Sequence, residues 1–347
     1  MLAIVLPELL CELAKEPLLL ARKEEGRVKN RRNEAPLGVV LGEKMGEEEA
    51  APADSPDRPG SSEASGSKSS SAKLVRATAV LDAVNAAARR YGVERGQTIA
   101  EACALVSHLT VREVSEKTIL TALGRIAELA FGFGSIVSVK SPDTVWVDIT
   151  GVAHLMGGEE ALAGELLSRV RALGHTARAA VGNGPILSRA FASWLGVGRR
   201  ARGEQGVVVA PSVLMREKAA ELPVSALPLE DAVRAWLIKL GVLTWGELAA
   251  LPRAATAARL GKDASRLLDL CEGKDPEPLA SYVPPRQLTE ESSWDDPVDG
   301  LEPLRFVLGG LTARLAVRLE GRGEAAQRLK LRIFHDRISA RFHGCSE

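Results

Sequence analysis

From Ser141 to Thr150 the chain reads Ser-Pro-Asp-Thr-Val-Trp-Val-Asp-Ile-Thr, a turn followed by strict alternation. Ser-Pro-Asp is turn chemistry, because proline presets φ and short polar side chains hydrogen-bond their own backbone. Val145, Val147 and Ile149 then alternate with Trp146, Asp148 and Thr150, the period of a strand with one buried face. Such a strand does not stand alone: it needs a sheet around it and a packed layer behind it. Leu2–Leu6, an apolar run stopped by Pro7, is a second strand candidate, and Leu37–Leu41 and Thr176–Gly182 are others. A fifth is Phe131–Ile136 continued by Val137–Lys140, and Leu18–Ala21 reads as a short strand.

Helical patterns lie between these runs. They cover Glu8–Ala14, the stretch from Asn85 closed by Gly92, a segment starting near Thr98, and Glu159–Leu173 with Leu162, Leu166, Leu167 and Val170 on one face. Further helices are expected at Ile186–Trp194, Ala235–Leu240 and Glu302–Leu319. Mixed elements of this kind predict an α+β protein. From Glu43 to Lys73 the composition turns acidic and then Ser-, Gly-, Pro- and Ala-rich, with too little apolar surface to offset its ordering entropy, so residues 43–75 are expected to be a disordered insertion.

At 347 residues the chain has room for two or three domains of about 100–200 residues each. Its formal charge of zero excludes binding to nucleic acid by bulk charge and leaves room for a local basic face. Cys11, Cys103, Cys271 and Cys345 have no paired metal-ligand spacing, which points to a reduced, cytoplasmic protein. Met1–Leu13 is apolar but is interrupted by Glu8 and Glu12 and lacks a basic start, so neither a signal peptide nor a membrane span is expected. His154 and His175 lie 21 residues apart with no ligand partner at metal spacing, and they read as loop and turn residues. Gly157-Gly158 is a helix entry without the Lys-Ser/Thr of a phosphate-binding loop.

The decapeptide resembles the S-I-D-E-A-Y-L-D-V-T segment of the Y-family (UmuC-like) DNA polymerases, with Ser141, Asp143, Asp148 and Thr150 matching. In that family the adjacent Asp and Glu bind a pair of Mg²⁺ ions. Asp143 falls on the first of these carboxylates and Thr144 on the second. Asn85-Ala-Ala-Ala-Arg-Arg-Tyr-Gly-Val93, Gly96 and Ile99-Ala-Glu-Ala102 resemble the N-Y-E-A-R-K-x-G-V-x-x-G-M-x-x-x-E-A segment, which holds the incoming triphosphate. Arg89 takes the Arg position and Ala86 the Tyr position. The first strand, H-V-D-M-D-C-F-F-A-S-V-E in active relatives, is matched by Ala3–Ala14, which puts Val5 at the essential Asp and Pro7 at the next. Leu9 and Leu10 then stand at the aromatic positions, and Glu8, the nearest acid, lies past the proline. Ile186–Trp194 is similar to the family's V-F-A-K-I-A-A helix; with a small gap Arg189 lands on the Lys that touches the triphosphate.

Glu221–Leu279 resembles the thumb, with Gly241-Val-Leu-Thr-Trp-Gly-Glu-Leu248 as a helix-hairpin-helix-like element whose backbone amides would face a DNA phosphate. The usual G-x-G before the helix is replaced by Leu227-Pro-Leu-Glu-Asp231. Beyond the linker at Tyr282–Pro285, Gln287–Asp296 reads as an edge strand and turn and Gln327–Phe334 as a strand of a partial little finger. From Leu301 to Glu347 nine Lys/Arg stand against five Asp/Glu, a bias suited to a duplex backbone. Ser339–Glu347 lacks a pattern, so truncation relative to the family is expected.

The resemblance implies a right-hand architecture: first palm strand and part of the fingers over 1–42, the insertion over 43–75, fingers end and palm over 76–215, thumb over 216–283 and partial little finger over 284–347. The missing acids, the Asp-Thr pair and the G-x-A-H-L-x-G-G run place it nearest the catalytically degenerate ImuB group. That implies a role in DNA repair and damage-induced (SOS) translesion mutagenesis without polymerase activity. The implied partners are damaged or primer-template DNA, the sliding clamp, the RecA-like ImuA protein and an error-prone C-family polymerase, with no membrane. No catalytic residue is expected. Asp143 is at most a weak metal ligand, Arg89 and Arg189 are candidate phosphate contacts, and Mg²⁺ is implied only if the chain is active. Two alternatives stay open: an error-prone polymerase with a rebuilt metal site that uses Glu8, and an interaction protein without DNA affinity.

Overall fold

The computed structural model describes residues 1–22, 35–42, 79–195, 207–210, 214–292 and 301–334. The insertion expected over 43–75 and the segment Ser339–Glu347 lie outside the described residues. The apolar run at the start forms β1 (Leu2–Val5), the centre of a five-stranded sheet with β5 (Val137–Lys140), β6 (Thr144–Val147), β7 (Arg178–Val181) and β8 (Val207–Val209). The strand order is β5-β6-β1-β7-β8. β1 pairs antiparallel with β6 and β7, and β7 pairs parallel with β8, so the sheet is mixed.

Both faces of this sheet are covered. Leu2, Ile4, Val145 and Val147 pack with Ile119, Leu123 and Ile126 of α4 (Glu116–Ala130) and with Leu162 and Leu166 of α5 (Glu159–Ala172). On the other face Val5, Ala180 and Val208 pack with Leu187, Ala190 and Phe191 of α6 (Pro185–Ala190) and the π-helical turn that continues it, Phe191–Leu195. The alternation in β6 implied one buried face, yet Thr144 and Trp146 are buried too. The cause is α6 lying over them: the Trp146 indole N–H donates to the Pro185 carbonyl at 2.9 Å, which satisfies the one polar group of a buried Trp.

A smaller sheet of β3 (Ala83–Val84), β2 (Leu37–Leu41) and β4 (Thr110–Val114) runs in the order β3-β2-β4, with β2 parallel to β4. Asn85 fastens it. Its Oδ1 accepts from Leu37 N at 3.1 Å and from Ala88 N at 2.9 Å, capping α2 (Ala86–Arg89), while Nδ2 donates to the Ala35 carbonyl at 2.8 Å. Gly92 and Gly96 take positive φ where the chain turns, and Thr98 with Glu101 forms a capping box on α3 (Ile99–Leu105).

A helical unit follows: α7 (Met215–Ala220), α8 (Asp231–Lys239), α9 (Trp245–Ala249), α10 (Arg253–Leu260) and α11 (Ala264–Cys271). Trp245 sits fully buried at its centre with its indole N–H on the Pro223 carbonyl at 2.9 Å. Burial also pushes the Cys271 thiol up to about 12, so this cysteine is packing material rather than a nucleophile. The following linker runs along the edge of the large sheet, where Tyr282 N donates to the Val137 carbonyl at 2.6 Å. α12 (Leu301–Arg322) then packs against α4.

Four expectations need correction. Leu18–Ala21 is helical, inside α1 (Leu9–Arg22), as befits leucines with high helix propensity. Phe131–Ile136 is a turn, and the strand begins at Val137. A Cβ on Gly134 would come 2.3 Å from the Asp148 carbonyl, so the chain uses glycine to pass close to β6. Residues 287–292 form no strand, and 293–296 lie outside the described residues. Gln327–Phe334, expected as a strand, is exposed and unpaired among the described residues; without a ladder partner its alternation cannot become a strand.

Candidate functional site

The register of the large sheet brings Val5 directly opposite Thr144, with Arg178 on its other side. Just before Thr144, the Asp143 carbonyl accepts from Leu6 N at 2.8 Å, so the Ser141–Asp143 turn is tied to the end of β1. The two positions at which acids were sought by alignment therefore do meet at one point. What meets there is a valine side chain and a threonine hydroxyl, both buried.

Arg189 completes the group from α6. Its Nε donates to Thr144 Oγ1 at 2.8 Å and its terminal nitrogen to Asp143 Oδ1 at 3.1 Å, while Thr144 Oγ1 donates to the same Asp143 oxygen at 2.7 Å. The three side chains form a closed ring of hydrogen bonds. The Arg189–Asp143 ion pair is partly exposed, with side-chain accessibilities of 42% and 23%, so its charge attraction is screened. Thr144 is fully buried and has both its hydrogen-bonding roles filled.

α6 is held firmly enough to fix Arg189. Its first amides, Ile186 N and Leu187 N, donate to the Asp275 carboxylate at 2.7 and 3.0 Å. Asp275 reaches them because Gly184 has no side chain: a Cβ there would lie 2.1 Å from the Asp275 carbonyl. Burial pushes the Asp275 carboxyl up, and the two amide hydrogen bonds oppose that rise. On the helix's inner face Leu187 and Ala190 are buried beside Val5.

The donor set does not fit two divalent cations. Two-metal sites hold ions about 3.5–4 Å apart between clustered carboxylates. Here one carboxylate, already bonded to a hydroxyl and a guanidinium, faces a valine. Glu8 stands past Pro7 at the entry to α1 and shares no hydrogen bond with Asp143 among the described residues. Nor do any three His, Cys, Asp or Glu side chains among the described residues gather as a metal-holding group. Mg²⁺ coordination normally draws on more than this single carboxylate offers.

The remaining sequence candidates lie apart from this ring. Arg89, on α2 beside the smaller sheet, donates from Nε and a terminal nitrogen to the Val84 carbonyl at 3.2 and 3.0 Å, so part of its fork is spent on its own strand. Asp148 accepts from Thr150, whose hydrogen bonds hold its carboxyl below the ordinary range. His175 Nδ1 lies 2.9 Å from Glu12 Oε2, a contact between α1 and the start of β7 rather than a ligand set. His154 lies in the 3₁₀ turn Ala153–Met156. At the helix-hairpin-helix-like element Gly241 turns with a φ of 81°, and Leu240 and Leu243 are exposed on either side of it.

Sequence reasoning missed the ring itself. Arg189 reached the right neighbourhood only through a gapped alignment, and its bond to Thr144 has no signal in local spacing. The sequence reading also passed over a buried ion cluster between α4 and α12. Glu128 and Glu290, each at most 1% exposed, bind Arg318, which bridges them, with Arg322 on Glu128 and Arg125 and Arg314 on Glu290. The signal for it was an acid, Glu128, set among Ala127, Leu129 and Ala130 in an otherwise apolar stretch of the helix.

Residues 64–193 match the impB/mucB/samB family model. Protein ImuB of Caulobacter vibrioides is 34% identical over 244 residues, which is 70% of this chain and 51% of that protein; the chain thus spans about half the length of this curated relative. DNA polymerase IV of Pseudomonas syringae pv. syringae is 25% identical over 263 residues, covering 74% of this chain and 72% of the relative. Among solved structures, a Y-family DNA polymerase chimera of Dbh and Dpo4 superposes with a TM-score of 0.54 at 15% identity, covering 82% of this chain and 70% of that one. DinB from Sulfolobus solfataricus superposes with 0.52 at 17% identity, covering 81% and 70%. The chain thus has the mixed α+β fold of the palm, fingers and thumb architecture, and it is a homologue of the Y-family, UmuC-like DNA polymerases.

Proposed function

We propose that this chain is a non-catalytic Y-family homologue that serves DNA repair and damage-induced mutagenesis as a DNA-binding adaptor. One observation carries the reading: at the point where β1 and β6 would present acids to metal ions, Val5 faces Thr144, and Arg189 binds the remaining carboxylate. Electrostatic stabilisation of the transferring phosphoryl group is the main catalytic device of such chemistry. Loss of a single stabiliser costs about 10²–10³ in rate, and here two ligands are absent. The alternative of an active, error-prone polymerase needs a second acid beside Asp143.

Primer-template DNA is the proposed ligand. Its grip would come from the thumb hairpin around Gly241 and from the basic bias beyond Leu301, by contacts to phosphates rather than bases. The proposed protein partners are those that the resemblance of the sequence implies: the sliding clamp, a RecA-like ImuA protein and an error-prone C-family polymerase. Fluorescence anisotropy of a labelled primer-template at several salt concentrations tests the DNA reading. Saturable binding whose logarithm falls linearly with the logarithm of salt concentration is expected. Binding absent at low salt would leave an interaction protein without DNA affinity.

A further inference from the structure

We infer that Arg189 is the resident cation of this palm: together with Thr144 it takes the place of the divalent ions on Asp143 and excludes them. The inference rests on the non-catalytic reading and gives it a chemical basis. Thr144 Oγ1 and Asp143 Oδ1 lie 2.7 Å apart, joined by the threonine proton. Arg189 meets that pair of oxygens side-on, one nitrogen to each, at 2.8 and 3.1 Å. This is the fork geometry with which a guanidinium grips the two oxygens of a carboxylate. The Asp-Thr pair thus presents a composite, carboxylate-like edge that an arginine fits and a point-charge ammonium does not.

Each member of the ring is held in place. Thr144 is fully buried on β6 and cannot turn its hydroxyl to solvent. Arg189 rides on α6, whose first turn is tied to Asp275 and whose inner face is packed on Val5. The Val5 position, which would supply a metal ligand in an active relative, here supplies the apolar seat of the helix that delivers the arginine. A divalent ion on Asp143 would have to share Oδ1 with two donors beside the positive charge of Arg189.

The test uses the full chain and Mn²⁺, with free Mn²⁺ followed by electron paramagnetic resonance. The wild type is expected to show no saturable site dependent on Asp143. Arg189→Ala is expected to bind Mn²⁺ at least about tenfold more tightly than the wild type, and adding Asp143→Asn to it should remove the gain. Thr144→Val, which keeps the shape and deletes the relay, should move Mn²⁺ affinity in the same direction as Arg189→Ala. Circular dichroism of each variant checks that the fold is intact.

Wild-type Mn²⁺ binding that is lost in Asp143→Asn would overturn the inference, as would an Arg189→Ala variant that is folded and gains nothing. Primer-template binding by the same preparations separates the two readings. Metal uptake by a wild type that still binds DNA sinks the resident cation alone. Absent DNA binding sinks the adaptor and leaves the Mn²⁺ result to stand by itself.

Discussion

Replacing Glu128 by Gln should release α12 from the back of the palm. The Glu128 side chain is 0% exposed, and its partners Arg318 and Arg322 are 7% and 6% exposed. Arg318 grips both carboxylate oxygens, Arg322 lies 2.8 Å from Oε1, and the Tyr282 hydroxyl approaches the same oxygen at 3.5 Å. The amide keeps the volume and removes the charge, which leaves Arg318 with Glu290 and Arg322 with the longer contact to the exposed Glu324 at 3.7 Å. Removing one partner from a buried pair costs about 3–5 kcal/mol, because the other charge stays desolvated. A unit charge pair near 4 Å at an effective dielectric of about 20 gives about 4 kcal/mol, the same order.

The assay is backbone hydrogen exchange followed by mass spectrometry, read peptide by peptide because a chain of several domains need not unfold in two states. Protection of 301–322 should fall by about 10²–10³, the equivalent of about 3–4 kcal/mol, with β1 and α6 unchanged. A fall of less than about fivefold would put the cluster in the range of solvent-screened surface bridges and refute the reasoning.

Asn85→Ala should cost about 2 kcal/mol or more, since it deletes the α2 cap and strands the buried Leu37 amide; guanidinium denaturation and exchange at β2 would show it. Gly184→Ala should displace Asp275 from the start of α6, because the new methyl would lie 2.1 Å from the Asp275 carbonyl; a lowered Tm with faster exchange at 185–190 is expected. Glu12 carries a pH dependence. Burial raises its carboxyl, but the hydrogen bonds from His175 and Thr176 outweigh that and hold it below its ordinary 4.5. A depressed folded value means that its contribution is complete above 4.5 and is lost as pH falls through the folded value. The Tm gap between wild type and Glu12→Gln should therefore be present at neutral pH and close in acid.

Local pattern made much of the fold legible. β1, β2 and β6 follow from apolar runs and alternation, α5 from its stripe of Leu162, Leu166, Leu167 and Val170, and the Gly92 and Gly96 turns from glycine at positive φ. Errors arose where periodicity was read without asking what would pair with it. Leu18–Ala21 and Gln327–Phe334 look like strands one residue at a time, but among the described residues neither has a neighbour to complete a ladder. α4 was passed over, although Ser115 caps it and Ile119, Leu123, Ile126 and Ala130 keep its spacing.

The site was half legible. Val5 and Thr144, named from separate segments, stand opposite each other because β1 and β6 pair in that register. The ring was not legible, since Arg189 and Asp143 are 46 residues apart and meet only because α6 folds back over the sheet. The Glu128–Arg318 pair, 190 residues apart, was still further from any local signal.

Single-nucleotide primer extension with Mg²⁺ and with Mn²⁺, on the wild type and on Asp143→Ala, tests the central claim most directly. A palm whose remaining carboxylate is held by Thr144 and Arg189 should extend no primer with either ion. Extension by the wild type that disappears in Asp143→Ala would contradict it, and would make Asp143 a working metal ligand in an active polymerase.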